Sequence, residues 1–256
     1  MRFRPCIDIH NGKVKQIVGS SLNDESTSAD ENFVSRRSAS EFALLYKKHA
    51  LKGGHVIILN SKESPYYEVS KNEALAALKA FEGGLMAGGG INDETASEFL
   101  EAGASHVVVT SFVFLNGTIN FDNLGKLENR VGKERLCLDL SCKKRDGRYY
   151  VVTDRWIKFT DEVLSPELLC RLSNYCGEFL VHAADVEGKR SGIEEDVVRI
   201  LKESPIPATY AGGIRSVSDM ERIRNLGDDR VDATIGSALS IFGGSIDLND
   251  IIGYNE

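Results

Sequence analysis

The feature that most restricts the fold of this chain is an internal repeat spanning about half its length. Three short motifs of the first half recur in the same order in the second half, at offsets of 131, 123 and 126 residues. The matched segments are Arg4–Ile9 with Arg135–Leu140, Ala87–Ile91 with Tyr210–Ile214, and Val109–Ser111 with Ile235–Ser237. A repeat of this length predicts two copies of one supersecondary unit packed against each other.

Short β-rich runs alternate with helix-like stretches along the whole chain. The predicted strands are Phe3–Ile9, His55–Leu59, Leu85–Ala87, His106–Val109, Arg135–Leu140, Glu178–Ala183, Pro207–Ala211 and Val231–Ile235. The predicted helices include Ala39–His49, Asn72–Phe81, Glu94–Ala102, Pro166–Tyr175, Ile193–Glu203 and Val217–Leu226. Eight strands alternating with helices in 256 residues predict an α/β fold, a (β/α)8 TIM barrel built from two (βα)4 half-barrel repeats. The barrel is expected to be one domain, residues 1–256, with half-barrels of about 1–130 and 131–256. The alternative, a doubly wound open sheet, would favour a GxGxxG turn after the first strand, and the chain has Asp8-Ile9-His10-Asn11-Gly12 there.

The repeat places Asp8 and Asp139 at matching positions near the ends of the first and fifth strands. In an eight-stranded barrel these strands face each other, so both carboxylates are expected at the C-terminal face, where barrel enzymes carry their chemistry. A carboxylate at the end of an apolar strand is costly unless it is paired or used in catalysis. A structural helix cap would explain one such residue, but two at matched positions favour an acid–base pair.

The two glycine clusters predict two phosphate sites. Gly89 and Gly90 in the first half and Gly212 and Gly213 in the second let the backbone approach an anion closely. The following strands end in hydroxyl and amide donors, namely Thr110 and Ser111 in the first half and Gly236 and Ser237 in the second. Either cluster alone would be explained by tight turns and helix caps. The pair predicts a small-molecule substrate with two phosphates lying across the mouth of the barrel.

Two insertions and several single residues leave alternatives open. Gly19–Asn32 is polar and reads equally well as a lid or a disordered loop, whereas Lys143–Thr160 contains Asp146-Gly147 and predicts a hairpin. Trp156 in that hairpin is expected either to stack on a heteroaromatic ring of a ligand or to act as a hydrophobic plug. His182 either orients substrate or is a satisfied core histidine. For the remaining candidates we expect structural roles, namely core packing for Cys6 and Cys137 and turn formation for Glu187-Gly188.

Composition excludes several classes of protein. A net charge of −7 argues against a nucleic-acid-binding face, and no 18-residue apolar run suggests a membrane span. The five cysteines form no CxxC pair, so a zinc ribbon or disulfide framework is not expected. We therefore expect no metal, no nucleic-acid or membrane partner, and a monomer in the cytoplasm, or in a plastid if a transit peptide has been removed.

These motifs together resemble a known family. CIDIHNGKVKQIVG, AGGGIND, LDLSCKKRDGRYYVVTDRW, FLVHAADVEG, and TYAGGI followed by IGSALSIFGG are similar to the histidine-biosynthesis isomerase, phosphoribosylformimino-5-aminoimidazole carboxamide ribotide isomerase, in its eukaryotic-type form. The resemblance covers essentially the whole chain. It implies a cofactor-free and metal-free Amadori rearrangement of the bisphosphorylated aminoaldose ProFAR to the aminoketose PRFAR. It also implies that Asp8 is the base at C2 and Asp139 the acid at the ring oxygen.

The chain departs from the bacterial-type pattern at two positions. His182-Ala183 stands where that form usually has Thr-Asp, and Asn92 stands where an arginine commonly follows the first glycine cluster. One alternative is the cyclase subunit of imidazole-glycerol-phosphate synthase, which would need a glutaminase partner. Another is phosphoribosylanthranilate isomerase, a family expected to use a cysteine of the first strand as its base, whereas Asp8 occupies that place here. A non-enzymatic phosphate-binding barrel is the alternative of a different class.

Overall fold

Eight parallel strands form the centre of the computed structural model, which describes residues 1–17 and 31–255. The first strand, β1, is interrupted at Pro5, which has no N–H to donate. Its carbonyl nevertheless accepts from the N–H of His55 at 2.9 Å, so pairing continues across the break. The strands are β1 (Phe3–Arg4 and Cys6–His10), β2 (Gly54–Ile58), β3 (Leu85–Gly88), β4 (Val107–Val109), β5 (Leu136–Asp139), β6 (Glu178–His182), β7 (Ala208–Ala211) and β8 (Val231–Thr234).

The strands are joined in a ring. Each pairs in parallel with the next along the chain, and β8 pairs in parallel with β1. Eight ladders for eight strands leave no open edge, which is the arrangement of a (β/α)8 barrel. The prediction of an α/β fold with a parallel barrel-like sheet is confirmed, and each predicted strand lies within two residues of its observed bounds.

Helices follow the first seven strands. They are α1 (Ala39–Lys48), α2 (Tyr67–Ala80), α3 (Ala96–Glu101), α4 (Phe121–Val131), α5 (Pro166–Leu172), α6 (Glu195–Lys202) and α7 (Val217–Leu226). Ser38, Ser165 and Ser216 cap α1, α5 and α7 by accepting a backbone N–H of the first turn. Short 3₁₀ turns follow β8: Ser240–Phe242, Leu248–Asp250 and Ile252–Asn255.

The core has an inner and an outer layer because successive strand side chains point to opposite faces. Met86, Val108, Cys137 and Leu180 form a small cluster of their own, separate from the large one that strands share with the helices. Cys6 and Cys137 are buried free thiols, as predicted. At the N-terminal end of the strands a buried Arg4 pairs with Asp232 at 2.7 Å and with Glu178 at 3.4 Å.

Insertions cover the opposite, C-terminal end. Lys13–Ile17 pairs antiparallel with β1 and with Glu31–Val34. Residues 18–30, which hold most of the predicted Gly19–Asn32 insertion, lie outside the described residues. After β5, three antiparallel strands form a small sheet, Cys142–Arg145, Arg148–Thr153 and Lys158–Val163. Asp146 and Gly147 connect the first two with φ of 51° and 77°, which confirms the predicted hairpin. Phe114–Leu115 and Thr118–Ile119 form a further short hairpin.

Within residues 1–17 and 31–255, no helix has the length and apolar character needed to cross a lipid bilayer.

Candidate active site

A cleft of about 940 Å³ opens at the C-terminal ends of the strands. Its lining includes Asp8, Gly89, Gly90, Thr110, Ser111, Asp139, Trp156 and His182. A much smaller pocket adjoins it and is lined by Gly212, Gly213, Gly236 and Ser237. Asp8, His182 and Glu187 line both spaces, so all the residues singled out from the sequence border one connected region.

Asp8 lies two residues before the end of β1, among groups that disfavour its charge. Its Oδ2 accepts from Nε2 of Gln16 at 3.2 Å, and Gln16 is presented by the antiparallel strand that folds back on β1. Burial and then the nearby Glu187 carboxylate raise the pKa of Asp8 to about 7, while His182 and Gln16 oppose part of that shift. A carboxyl group with a pKa near neutrality can either accept or release a proton at physiological pH.

Asp139 lies at the matched position on β5 but has different neighbours. Its Oδ1 accepts from both the N–H of Ser141 at 2.8 Å and the hydroxyl of Ser141 at 2.5 Å. Nδ1 of His182 lies 3.8 Å from the same oxygen. Burial alone would raise the pKa of Asp139, but His182 and Ser141 together hold it below its ordinary value. The pKa values of the two aspartates are therefore displaced in opposite directions, although the sequence presents the two residues as equivalents.

His182 connects the two walls of the site. Its Nδ1 lies 3.2 Å from the Ser141 hydroxyl, which also bonds Asp139. Burial would lower the pKa of His182, but Asp139, then Glu187 and Asp8, raise it to about 9. Its ring centroid lies 5.9 Å from that of His55 on β2, whose pKa falls to about 3 through burial and the adjacent His182 charge.

Trp156 lies in the turn between the last two strands of the insertion that follows β5. Asp154, Arg155 and Trp156 all have positive φ, between 51° and 64°, a conformation that non-glycine residues adopt only under constraint. The indole centroid lies 5.6 Å from the His182 ring, and both side chains line the cleft. Trp156 thus forms part of the cleft wall and is partly buried.

The first glycine cluster borders the open cleft. A Cβ on Gly89 would lie 2.2 Å from the carbonyl oxygen of Ile58, so strand packing by itself requires glycine there. A Cβ on Gly90 would instead lie 3.1 Å from Cγ of Lys62, a side chain that also lines the cleft. Asn92 is used locally, since its Oδ1 accepts from the N–H and hydroxyl of Thr95. The helix predicted from Glu94 begins only at Ala96.

Ser111, at the end of β4, is in contact with the insertion that follows β5. Its hydroxyl lies 3.4 Å from the carboxylate of Asp154 and 3.4 Å from the Asp154 N–H. Asp154 in turn pairs with Lys158 at 2.7 Å. An acidic group beside a proposed phosphate ligand repels the anion, so phosphate binding at Ser111 is expected to displace Asp154.

The second glycine cluster borders the smaller pocket. A Cβ on Gly213 would lie 2.0 Å from the carbonyl oxygen of Gly192, and the Gly192 N–H donates to the Gly213 carbonyl at 3.0 Å. Close packing of two loops therefore accounts for this glycine without a ligand. Arg190 crosses the same pocket, where its guanidinium donates to the carbonyl oxygen of Ser237.

Four residues of this region were missed in the sequence. Gln16, Lys62, Glu187 and Arg190 all line the cleft or its adjoining pocket. Glu187 was expected only to form a turn, yet it is one of the three residues common to both spaces. The match between the two halves of the sequence could have pointed to two of these residues, because Lys62 follows β2 and Arg190 follows β6, the corresponding strand of the second half.

Comparison with known proteins agrees with this geometry. The family model described as "Histidine biosynthesis protein" matches residues 2–247. The chain belongs to this family. A Medicago truncatula relative is 52% identical over 100% of this chain and 82% of its own length. Relatives from Neurospora crassa and Saccharomyces cerevisiae are 44% and 40% identical, each over 100% of this chain and 98% of their own.

All three relatives of this histidine biosynthesis family carry the same enzyme name. It is 1-(5-phosphoribosyl)-5-((5-phosphoribosylamino)methylideneamino)imidazole-4-carboxamide isomerase, and the Medicago protein is further described as chloroplastic. The resemblance inferred from the sequence motifs is thus confirmed at the level of the family.

Proposed function

We propose that this chain catalyses the isomerisation named for its relatives, the conversion of the aminoaldose ProFAR to the aminoketose PRFAR. The observation that carries the proposal is that two aspartates on matched strands, Asp8 and Asp139, border one cleft flanked by two glycine-containing regions, which we propose as phosphate cradles. The first cradle consists of Gly89, Gly90, Thr110 and Ser111. The second consists of Gly212, Gly213, Gly236 and Ser237. A substrate with a phosphate at each end would span them and present its central sugar to the aspartates.

The aspartates divide the reaction between them. Asp8 is the base that removes the proton from C2, a task suited to a carboxylate whose pKa is about 7. Asp139, on the opposite wall of the cleft, acts in the acid step, in which the ring oxygen is protonated. Trp156 stacks on the aminoimidazole ring, and His182 contacts the substrate between the two walls. No cofactor or metal is assigned a step.

We also propose that the barrel consists of two half-barrels, about 1–130 and 131–256. The backbone at the two glycine clusters supports this, because Gly89 and Gly90 have φ of 105° and 69° and Gly212 and Gly213 have 122° and 70°. An antiparallel insertion also follows both β1 and β5. A monomer, and a cytoplasmic or plastid location, remain predictions.

The deciding experiment is turnover by the purified chain alone. Incubation with ProFAR, without ammonia or a glutaminase, should give PRFAR as the single product. No conversion of ProFAR, combined with ammonia-dependent conversion of PRFAR, would favour the cyclase alternative. Tight binding of ProFAR without conversion would favour a phosphate-binding barrel. Asp8→Asn is the matched negative control, because it keeps the size of the side chain and removes the exchangeable proton.

A further inference from the structure

The acid wall of the site contains a hydrogen-bonded arrangement that the two-aspartate scheme does not use. Ser141 donates both its N–H and its hydroxyl to Oδ1 of Asp139, and His182 presents Nδ1 to the same pair of groups. A carboxylate that accepts several donors is stabilised as the anion. Asp139 is therefore poorly suited to hold a proton in the resting enzyme.

His182 has the opposite character. The charged and titratable groups that face it are Asp139 from β5, Asp8 from β1, Glu187 from the loop after β6 and His55 from β2. Three of these four are carboxyl groups, and their combined effect raises the pKa of His182 to about 9. Burial, together with the nearby His182, keeps His55 neutral, since its pKa is about 3.

The geometry also leaves one nitrogen of His182 for a ligand. Nδ1 is directed at Ser141 and Asp139, so Nε2 is the ring nitrogen that remains for the cleft. The ring is held between Trp156 and His55, at centroid distances of 5.6 and 5.9 Å. With its side chain 13% exposed, His182 is accessible from the cleft and yet fixed in orientation.

Resting on the proposed function, we propose that the His182 imidazolium is the proton donor at the ring oxygen, and that Asp139 is the positioning residue that orients and charges it. Nε2 of His182 gives its proton to the ring oxygen while the bond from C1 to that oxygen breaks and its electron pair stays on the oxygen. The nitrogen lone pair at C1 forms the C=N bond of a protonated imine.

The remaining steps restore both groups. Asp8 removes the proton from C2, and the electrons of that C–H bond form a C1=C2 double bond as the C=N pair returns to nitrogen. The enol hydroxyl at C2 then gives its proton to neutral His182, and C1 receives the proton held by Asp8. The product is the aminoketose, and His182 and Asp8 recover their starting protonation.

The test compares pH–rate profiles of the wild type, His182→Gln and His106→Gln, with folding of each variant checked by thermal unfolding. The wild type should need Asp8 ionised and His182 protonated, giving limbs near pH 7 and pH 9. His182→Gln should lose the alkaline limb and about 10²–10⁴ in kcat, with little change in KM. His106, beside Ser105 at the start of β4 on the opposite end of the barrel, is the matched control and should leave the profile unchanged.

Asp139→Asn distinguishes a positioning role from donation. It should keep an alkaline limb but move it to lower pH, because His182 loses its main anionic partner. Loss of that limb in Asp139→Asn, combined with its retention in His182→Gln, would return the donor role to Asp139 and overturn the proposal.

A second measurement does not depend on turnover. Nitrogen-15 NMR of the histidine-labelled full chain, with His182 assigned by its absence from the His182→Gln spectrum, should show an imidazolium at pH 7. A neutral His182 at that pH would overturn the proposal even if the enzyme is active. Failure of the wild type to convert ProFAR would instead reject the proposed function, and the NMR titration would still report on His182.

Discussion

Asp8→Asn is the most informative single substitution, because activity and stability should change in opposite directions. The folded state raises the pKa of Asp8 from 3.8 to about 7. The folded protein therefore binds this proton more tightly than the unfolded chain, so the group costs stability as pH rises from 3.8 and the cost is complete above 7. Raising the pKa from 3.8 to about 7 corresponds to about 4 kcal/mol, and partial exposure of the side chain makes this the maximum.

The pH dependence isolates this contribution from the other effects of the substitution. At pH 5.5 the cost is about 2 kcal/mol, and at pH 8.5 it reaches about 4 kcal/mol. The stability advantage of Asp8→Asn in urea unfolding should thus grow by about 2 kcal/mol between these pH values. At the same time kcat should fall by about 10²–10⁴, whereas Asp122→Asn, an exposed change on α4 outside the cleft, should retain turnover. An advantage that stays constant with pH would refute the argument that burial and Glu187 hold a proton on Asp8.

Two further predictions concern substrate binding. Trp156→Ala should lose about 1–3 kcal/mol of binding or transition-state stabilisation. The tryptophan fluorescence of the wild type should also change when a substrate analogue is added. If the fluorescence does not change and the variant has wild-type kinetics, Trp156 has only a structural role. Ser237→Ala should raise KM about tenfold or more through loss of a hydrogen bond to a charged phosphate, about 1.5–3 kcal/mol, while Ser218→Ala, outside both pockets, should not. Ser237 is a better probe than Gly213, because a side chain at Gly213 would collide with the carbonyl of Gly192 and displace that loop whether or not phosphate binds.

The parts of the fold that could be read from the sequence are those set by local pattern. Apolar runs such as Leu85–Gly88 and Val107–Val109 are recognisable because parallel strands are buried on both faces. The strand-end positions of Asp8 and Asp139 follow directly from that reading. Helix α4 was not predicted: it contains Gly125, and only two of its residues, Leu124 and Leu127, are buried, so few apolar residues mark it.

The neighbours of each site residue could not be read in the same way. The contact between Gln16 and Asp8 depends on a strand that folds back antiparallel, and the contact of Asp154 with Ser111 depends on where the β5 insertion packs. Glu187 looked like part of a turn because its sequence neighbour is Gly188, whereas its electrostatic partners come from β1 and from His182. Such contacts are set by loops that meet in space, for which sequence spacing carries no signal.

Asp8 and Asp139 occupy matched positions in the sequence but have unlike surroundings in the structure. Both residues lie in a strand and follow a buried cysteine by two positions, although Asp139 ends β5 whereas Asp8 is followed by two more residues of β1. The residue after next on the β5 side is Ser141, whose N–H and hydroxyl both donate to Asp139 and stabilise the anion. Glu187 then adds negative charge next to Asp8, and His182 adds positive charge next to Asp139. In the proposed reaction one group must take a proton and another must give one, so these unlike surroundings suit Asp8 to the base role and Asp139 to holding the His182 imidazolium.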